Sequence, residues 1–264
     1  MKFVHFVTTK HPHGAYGLVA SDGSIEVVQG GLMDPVVRTG EVIQENEIIR
    51  YLPPVEPPNL LAIGLNYRAH AAETDDMLPS EPLLFIKAAT AVVGHGDNIV
   101  LPRMAPDCVD YEAELAVIIG RTARDVPPDE ALSCVLGYTC ANDVTARDCQ
   151  RRDGQWARGK SFDTFAPLGP YVLTDTDPAN RRIQMRLNGA VMQDQSTADM
   201  VFDVPFLVSY LSRCMTLRPG TVILTGTPSG VGFTRKPPVY LRPGDLCEVE
   251  IEGIGVLRNT VVGE

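Results

Sequence analysis

Val109-Asp110-Tyr111-Glu112-Ala113-Glu114-Leu115 runs directly into Ala116-Val117-Ile118-Ile119-Gly120. The apolar second half marks a strand entering a core. Side chains alternate along a strand, so Asp110, Glu112 and Glu114 share one face, with neighbours ~7 Å apart. Like charges at the mouth of an apolar strand repel one another and are costly to desolvate. Two arrangements relieve that cost: an acidic face turned to water, or a divalent cation among the carboxylates. Hard ions such as Mg²⁺ and Mn²⁺ prefer carboxylate oxygen, and Mg²⁺ usually keeps positions open for water and substrate. Spacing alone does not choose between the two.

Working outward, Gly137-Tyr138-Thr139-Cys140-Ala141-Asn142-Asp143 is a second, mostly apolar strand that ends in an acid. Asp143 reads either as a metal ligand or as a turn or cap residue. Arg147 lies beside Asp148, which suggests a local salt bridge. Upstream, Asn66 to Met77 has a weak helical pattern that would place His70 and Glu73, three apart, on one face. That pair is either a helix-surface contact or part of a site. Further extended segments are expected at Asn59 to Gly64, Leu83 to Ile86, Gly169 to Thr174, Ile183 to Leu187, Thr221 to Leu224 and Leu246 to Ile251. Phe206, Leu207, Tyr210, Leu211 and Cys214 recur at helical spacing after Asp203 and Pro205.

Many strands with few helices, not strictly alternating, indicate a strand-rich α+β fold and argue against a doubly wound sheet or a (β/α)₈ barrel. The first fifty residues are short strands with turn signals. Four prolines within Pro53-Pro54-Val55-Glu56-Pro57-Pro58 cannot sit inside a helix or a central strand. The expected division is a small N-terminal β domain at 1–52, a linker at 53–58 and a main domain at 59–264.

The chain has 264 residues, 44% of them hydrophobic, ample for one sizeable core. No basic-then-apolar leader and no run of ~18 apolar residues occurs, which argues against secretion and membrane spanning. A formal charge of −10 without a basic block makes nucleic acid an unsuitable partner. The six cysteines form no C-x-x-C pair and read as scattered thiols in a reducing, cytoplasmic setting.

Five motifs in this order resemble the fumarylacetoacetate hydrolase family, and its short acylpyruvase-like members in particular. They are Gly64-Leu65-Asn66-Tyr67 with His70 and Glu73, the acidic strand 110–115, Asn142-Asp143-Val144-Thr145-Ala146-Arg147-Asp148, Gly159-Lys160-Ser161-Phe162-Asp163, and Leu224-Thr225-Gly226-Thr227-Pro228-Ser229-Gly230-Val231-Gly232. The resemblance implies a rolled mixed β-structure behind a small N-terminal domain, commonly dimeric. It implies Glu112, Glu114 and Asp143 as ligands of Mg²⁺ or Mn²⁺, with Asp110 outside the ligand set. It also places Gln150, Lys160 and Thr227 around a small 2-oxo acid, and His70 with Glu73 on a lid that activates water. The Gly226-Thr227 turn lacks the Gly-Lys-Ser/Thr of a phosphate loop and better suits amides and a hydroxyl facing a small anion.

The chemistry implied is formation of an enolate from a 2-oxo acid. Carbon–carbon hydrolysis of an acylpyruvate ranks first among its outcomes, because His70 and Glu73 supply the base that hydrolysis needs. Decarboxylation, isomerisation or oxaloacetate tautomerisation of a 2-oxo diacid is the alternative. A catalytically silent binding or scaffold protein is a third reading, against which the complete set of site residues argues.

Overall fold

Apolar and alternating runs become strands throughout the computed structural model, which describes residues 1–264. The largest sheet has twelve strands. Its main path runs Val37–Ile43, Ile25–Gln29, Ala15–Val19, Lys2–Val7, Ala166–Leu173, Val135–Asn142, Ala113–Ile119, Val222–Leu224, Leu60–Gly64 and Leu83–Lys87. Most neighbours are antiparallel, but Val222–Leu224 lies parallel to Leu60–Gly64. A second sheet of five strands is ordered Ala190–Ser196, Arg182–Leu187, Leu246–Ile251, Gly255–Gly263, Ile99–Leu101. Ile183, Met185, Val249 and Leu257 from the smaller sheet share one buried core with Leu115, Val117 and Cys140 of the larger. Every residue of Ala113–Ile119 is buried, as expected for a strand covered on both faces. The architecture is therefore strand-rich α+β with mixed sheets.

The first fifty residues have a small core of their own, formed by Val4, Phe6, Ile25, Val27 and Ile43. They are also hydrogen-bonded to the rest, because Lys2–Val7 pairs antiparallel with Ala166–Leu173. One sheet thus crosses the proline-rich stretch. All six cysteines are free. No helix is long and apolar enough to cross a membrane.

Four α-helices occur: α1 (Arg68–Thr74), α2 (Arg147–Asp153), α3 (Ala157–Lys160) and α4 (Val204–Cys214). Helix α4 starts where its sequence predicts, with the Asp203 carboxylate accepting the Phe206 amide at 2.9 Å. Helix α1 is shorter than the Asn66 to Met77 pattern and stops at Asp75, whose φ of 59° is left-handed. The acidic stretch is not one strand. Val109–Asp110 pairs with Thr145–Ala146, and Ala113–Ile119 pairs with Val135–Asn142. The break at Tyr111-Glu112 puts Asp110 and Glu114 on different strands.

Candidate active site

The three expected ligands meet because two neighbouring strands share a register. Ala113 is opposite Asn142, so the residue after each strand end falls beside the other strand. The Asp143 amide donates to the Glu112 carbonyl at 2.8 Å, and the Glu112 amide donates to the Asn142 side chain at 3.0 Å. Glu112, Glu114 and Asp143 are all buried, and one ligand oxygen from each lies within 4.8 Å of the others.

The turn after Val222–Leu224 closes over the same strand. Thr225 donates its hydroxyl to the Leu115 carbonyl at 2.9 Å, and Thr227 donates to that of Ala113 at 3.0 Å. Between them the Gly226 amide donates to the Glu114 carboxylate at 2.7 Å. Gly226 has a φ of 98°, and a Cβ there would sit 2.8 Å from that of Asn66, so the position requires glycine. The Thr227 hydroxyl also accepts from Gln193 at 2.8 Å. Gly226 and Thr227, expected beside the substrate, thus fix the acidic strand and orient Glu114. Thr227 also lines the cavity described below; Gly226 does not.

Three buried cations answer these acids. Lys160 lies at the end of α3, with its ammonium 2.7 Å from Glu112 and 2.7 Å from Asp143. Arg147 contacts Asp110 at 2.9 Å and Glu112 at 2.7 Å, which is a different partnership from the local pair with Asp148 that the sequence suggests. Asp110 is fully buried and accepts from the Gly232 and Phe233 amides as well, so it anchors Arg147 and the following loop. The third cation, Lys87, carries no sequence motif. It ends strand Leu83–Lys87, is buried, and donates to Asp143 and to the Val144 carbonyl.

The charges do not balance. Lys87, Arg147 and Lys160 face Asp110, Glu112, Glu114 and Asp143, one acid in excess. Burial, followed by the charges of Asp143 and Glu112, pushes the Glu114 carboxyl well above the usual carboxylate range. Burial acts the same way on Glu112, but the Lys160 and Arg147 cations overcome it and hold that group down at about 2. A buried hard-oxygen triad with an uncompensated member suits a divalent cation, whose charge would remove the penalty on Glu114. The residues fit a divalent cation that prefers oxygen ligands.

A cavity of about 260 Å³ opens onto this cluster. His70, Arg147, Gln150, Lys160 and Thr227 line it, with Phe85, Trp156 and Phe233 as apolar wall. Gln150 accepts from Arg147 at 3.1 Å, which leaves its amide nitrogen available. One guanidinium nitrogen of Arg147, Nη2, is buried without a partner. His70 is buried, with Nδ1 3.3 Å from Glu73. Glu73 lies off the cavity wall. It accepts from the Gly230 amide at 3.0 Å and from the Thr234 hydroxyl at 2.8 Å, tying α1 to the glycine-rich loop.

A family model for the fumarylacetoacetate hydrolase C-terminal domain matches residues 59–262. An uncharacterised protein of Archaeoglobus fulgidus is 54% identical over 81% of this chain and 82% of its own length. A mitochondrial oxaloacetate tautomerase of Bos taurus is 45% identical over 84% of this chain and 72% of its own. Among solved structures, a 5-carboxymethyl-2-hydroxymuconate delta-isomerase from Mycobacterium smegmatis superposes with a TM-score of 0.89 at 39% identity, covering 100% of both chains. A fumarylacetoacetate hydrolase from Exiguobacterium antarcticum gives 0.87, also at 39% identity and 100% of both. With its five motifs gathered in one fold and 59–262 matched, the chain belongs to the fumarylacetoacetate hydrolase family, a family of enzymes.

Proposed function

We propose that the protein is a divalent-metal-dependent isomerase that interconverts the enol and keto forms of a small 2-oxo dicarboxylic acid, with oxaloacetate the first substrate to test. The observation that carries this reading is the 45% identity to an oxaloacetate tautomerase across most of the chain. The sequence reading ranks hydrolysis ahead of isomerisation; the relatives reverse that order. A cavity of about 260 Å³ also favours a compact substrate, since ligand pockets run roughly 300–1,000 Å³.

Glu112, Glu114 and Asp143 would hold Mg²⁺ or Mn²⁺, whose charge favours the enolate form of a 2-oxo acid. Lys160 keeps Glu112 and Asp143 in place and adds positive charge to the cavity floor. The side-chain amide of Gln150 is left to donate to the substrate's 1-carboxylate, beside the Arg147 guanidinium that also lines the cavity. With Nδ1 of His70 donating to Glu73, Nε2 remains to carry a proton. In ketonisation C3 gains that proton and the enol O–H releases one; in enolisation the transfers reverse. No other bond need break.

Acylpyruvate hydrolysis stands second, because the same His70–Glu73 pair is able to activate water. The family resemblance carries the expectation of a homodimer, and the six free cysteines suit the cytoplasm. Proton NMR of oxaloacetate and of acetylpyruvate, each incubated with the Mg²⁺-loaded protein, separates the two reactions. Faster enol–keto relaxation of oxaloacetate is expected, slowed ~10²–10⁴-fold in His70→Ala, the usual cost of losing a general base. Cleavage of acetylpyruvate to acetate and pyruvate without any effect on oxaloacetate would replace the isomerase reading with the hydrolase one.

A further inference from the structure

The cavity wall holds four basic side chains, and three are already engaged. His70 pairs with Glu73, Arg147 with Asp110 and Glu112, and Lys160 with Glu112 and Asp143. The fourth, Arg151, has no carboxylate within ion-pair distance, although it also lines the cavity. Its recorded contact is a 3.2 Å hydrogen bond from Nε to the Arg147 carbonyl, one helical turn back. That bond directs the guanidinium and leaves both terminal nitrogens free. Arg147, Gln150 and Arg151 stand at helical spacing on one face of α2, and all three reach the cavity. Arg147 is buried at its base and Arg151 is exposed at its mouth.

We propose that Arg151 recognises the second, distal carboxylate of the substrate and makes the site selective for 2-oxo dicarboxylic acids over 2-oxo monocarboxylic acids. The inference rests on the preceding reading for the position of the 2-oxo end against Arg147 and the acidic triad. A substrate anchored there extends away from the triad, and its far end meets a planar fork of unengaged donors suited to a carboxylate. Asp76 also lines the mouth and has no cationic partner. It repels any distal carboxylate that Arg151 does not neutralise, which sharpens the selection.

Two probes that do not react test this in Mg²⁺-loaded protein by calorimetry. Oxalate has no distal carboxylate, and 3,3-difluorooxaloacetate has one but cannot enolise. In Arg151→Gln, difluorooxaloacetate should bind about tenfold more weakly, as for loss of one charge-assisted contact, with oxalate affinity held to within about twofold. Arg151→Lys should recover part of the loss, since it restores the charge without the fork. Equal weakening of both probes would overturn the assignment and show Arg151 closing the mouth against Asp76 instead. Unchanged affinity for both would overturn it as well. If wild-type protein binds difluorooxaloacetate more tightly than the Arg151→Gln variant but leaves oxaloacetate tautomers unaffected, the isomerase reading fails and the Arg151 assignment stands.

Discussion

Glu73 fastens the C-terminal part of helix α1 to the body, as Arg68 and Asp199 fasten its start. The Glu73 carboxylate accepts from His70, from the Gly230 amide and from the Thr234 hydroxyl. Partial burial works to raise its pKa, but these hydrogen bonds prevail and hold it below the ordinary 4.5. A depressed folded value means that the latch contributes stability above the ordinary value and loses it as pH falls through the depressed one. Amide-exchange protection factors in α1 should therefore hold steady from neutral pH down to the ordinary carboxylate value, then drop in stronger acid. Glu73→Gln should remove that step. A wild-type profile as flat as the variant's would contradict the latch. His70 and Glu73 are legible in the sequence because their spacing declares a shared face. Lys87 is not, since a lysine closing an apolar strand looks like a surface end until Asp143 is seen beside it. Arg147 misleads for a related reason: Asp148 is its neighbour in sequence, whereas the start of α2 turns it toward Asp110 and Glu112.

At the scale of elements, α2 and α3 matter most and were the least visible. Arg147-Asp148-Cys149-Gln150-Arg151-Arg152-Asp153 has no apolar stripe, and only Arg147 and Cys149 in it are buried. Its inner face is polar and points into the cavity, so hydrophobic periodicity does not register the helix. The two helices touch at Gly159, where a Cβ would lie 2.8 Å from the Gln150 amide nitrogen and 3.0 Å from the Ala146 carbonyl. Backbone atoms on both sides leave little room to yield. Gly159→Ala should thus push α3 from α2, displace Lys160 and cost roughly 1–3 kcal/mol in urea unfolding, the range for overpacking. Activity should fall more steeply than stability, because Lys160 adjoins two of the three proposed ligands. A variant with wild-type stability and turnover would show that this contact does not position Lys160. The strands, by contrast, were readable from apolar runs, except that the acidic stretch breaks at Tyr111-Glu112 where side-chain alternation alone implies continuity.

Across the whole molecule, the site is a product of sheet register. Ala113–Ile119 lies between Val135–Asn142 and Val222–Leu224, so it receives Asp143 from one side and the Gly226 amide from the other. The three acids come from positions 112 to 143, Lys160 lies further along the chain, and only the folded sheet explains why they meet. The strand-rich class is accessible from the sequence, and the clustering of Glu112, Glu114 and Asp143 through resemblance to a known family. The choice of reaction is not, because every candidate reaction uses the same enolate-forming residues. In the proposed reaction, Glu112, Glu114 and Asp143 hold a metal through which this protein accelerates tautomerisation of a 2-oxo diacid. Stopped-flow ultraviolet absorbance of freshly dissolved enol-oxaloacetate follows that reaction directly. Wild-type protein with Mg²⁺ or Mn²⁺ should speed the decay of the enol, chelator-treated protein should not, and Glu114→Ala should fall to the uncatalysed rate even with the metal present. An equal rate in wild type and Glu114→Ala, or a rate indifferent to metal, would contradict a metal-dependent tautomerase.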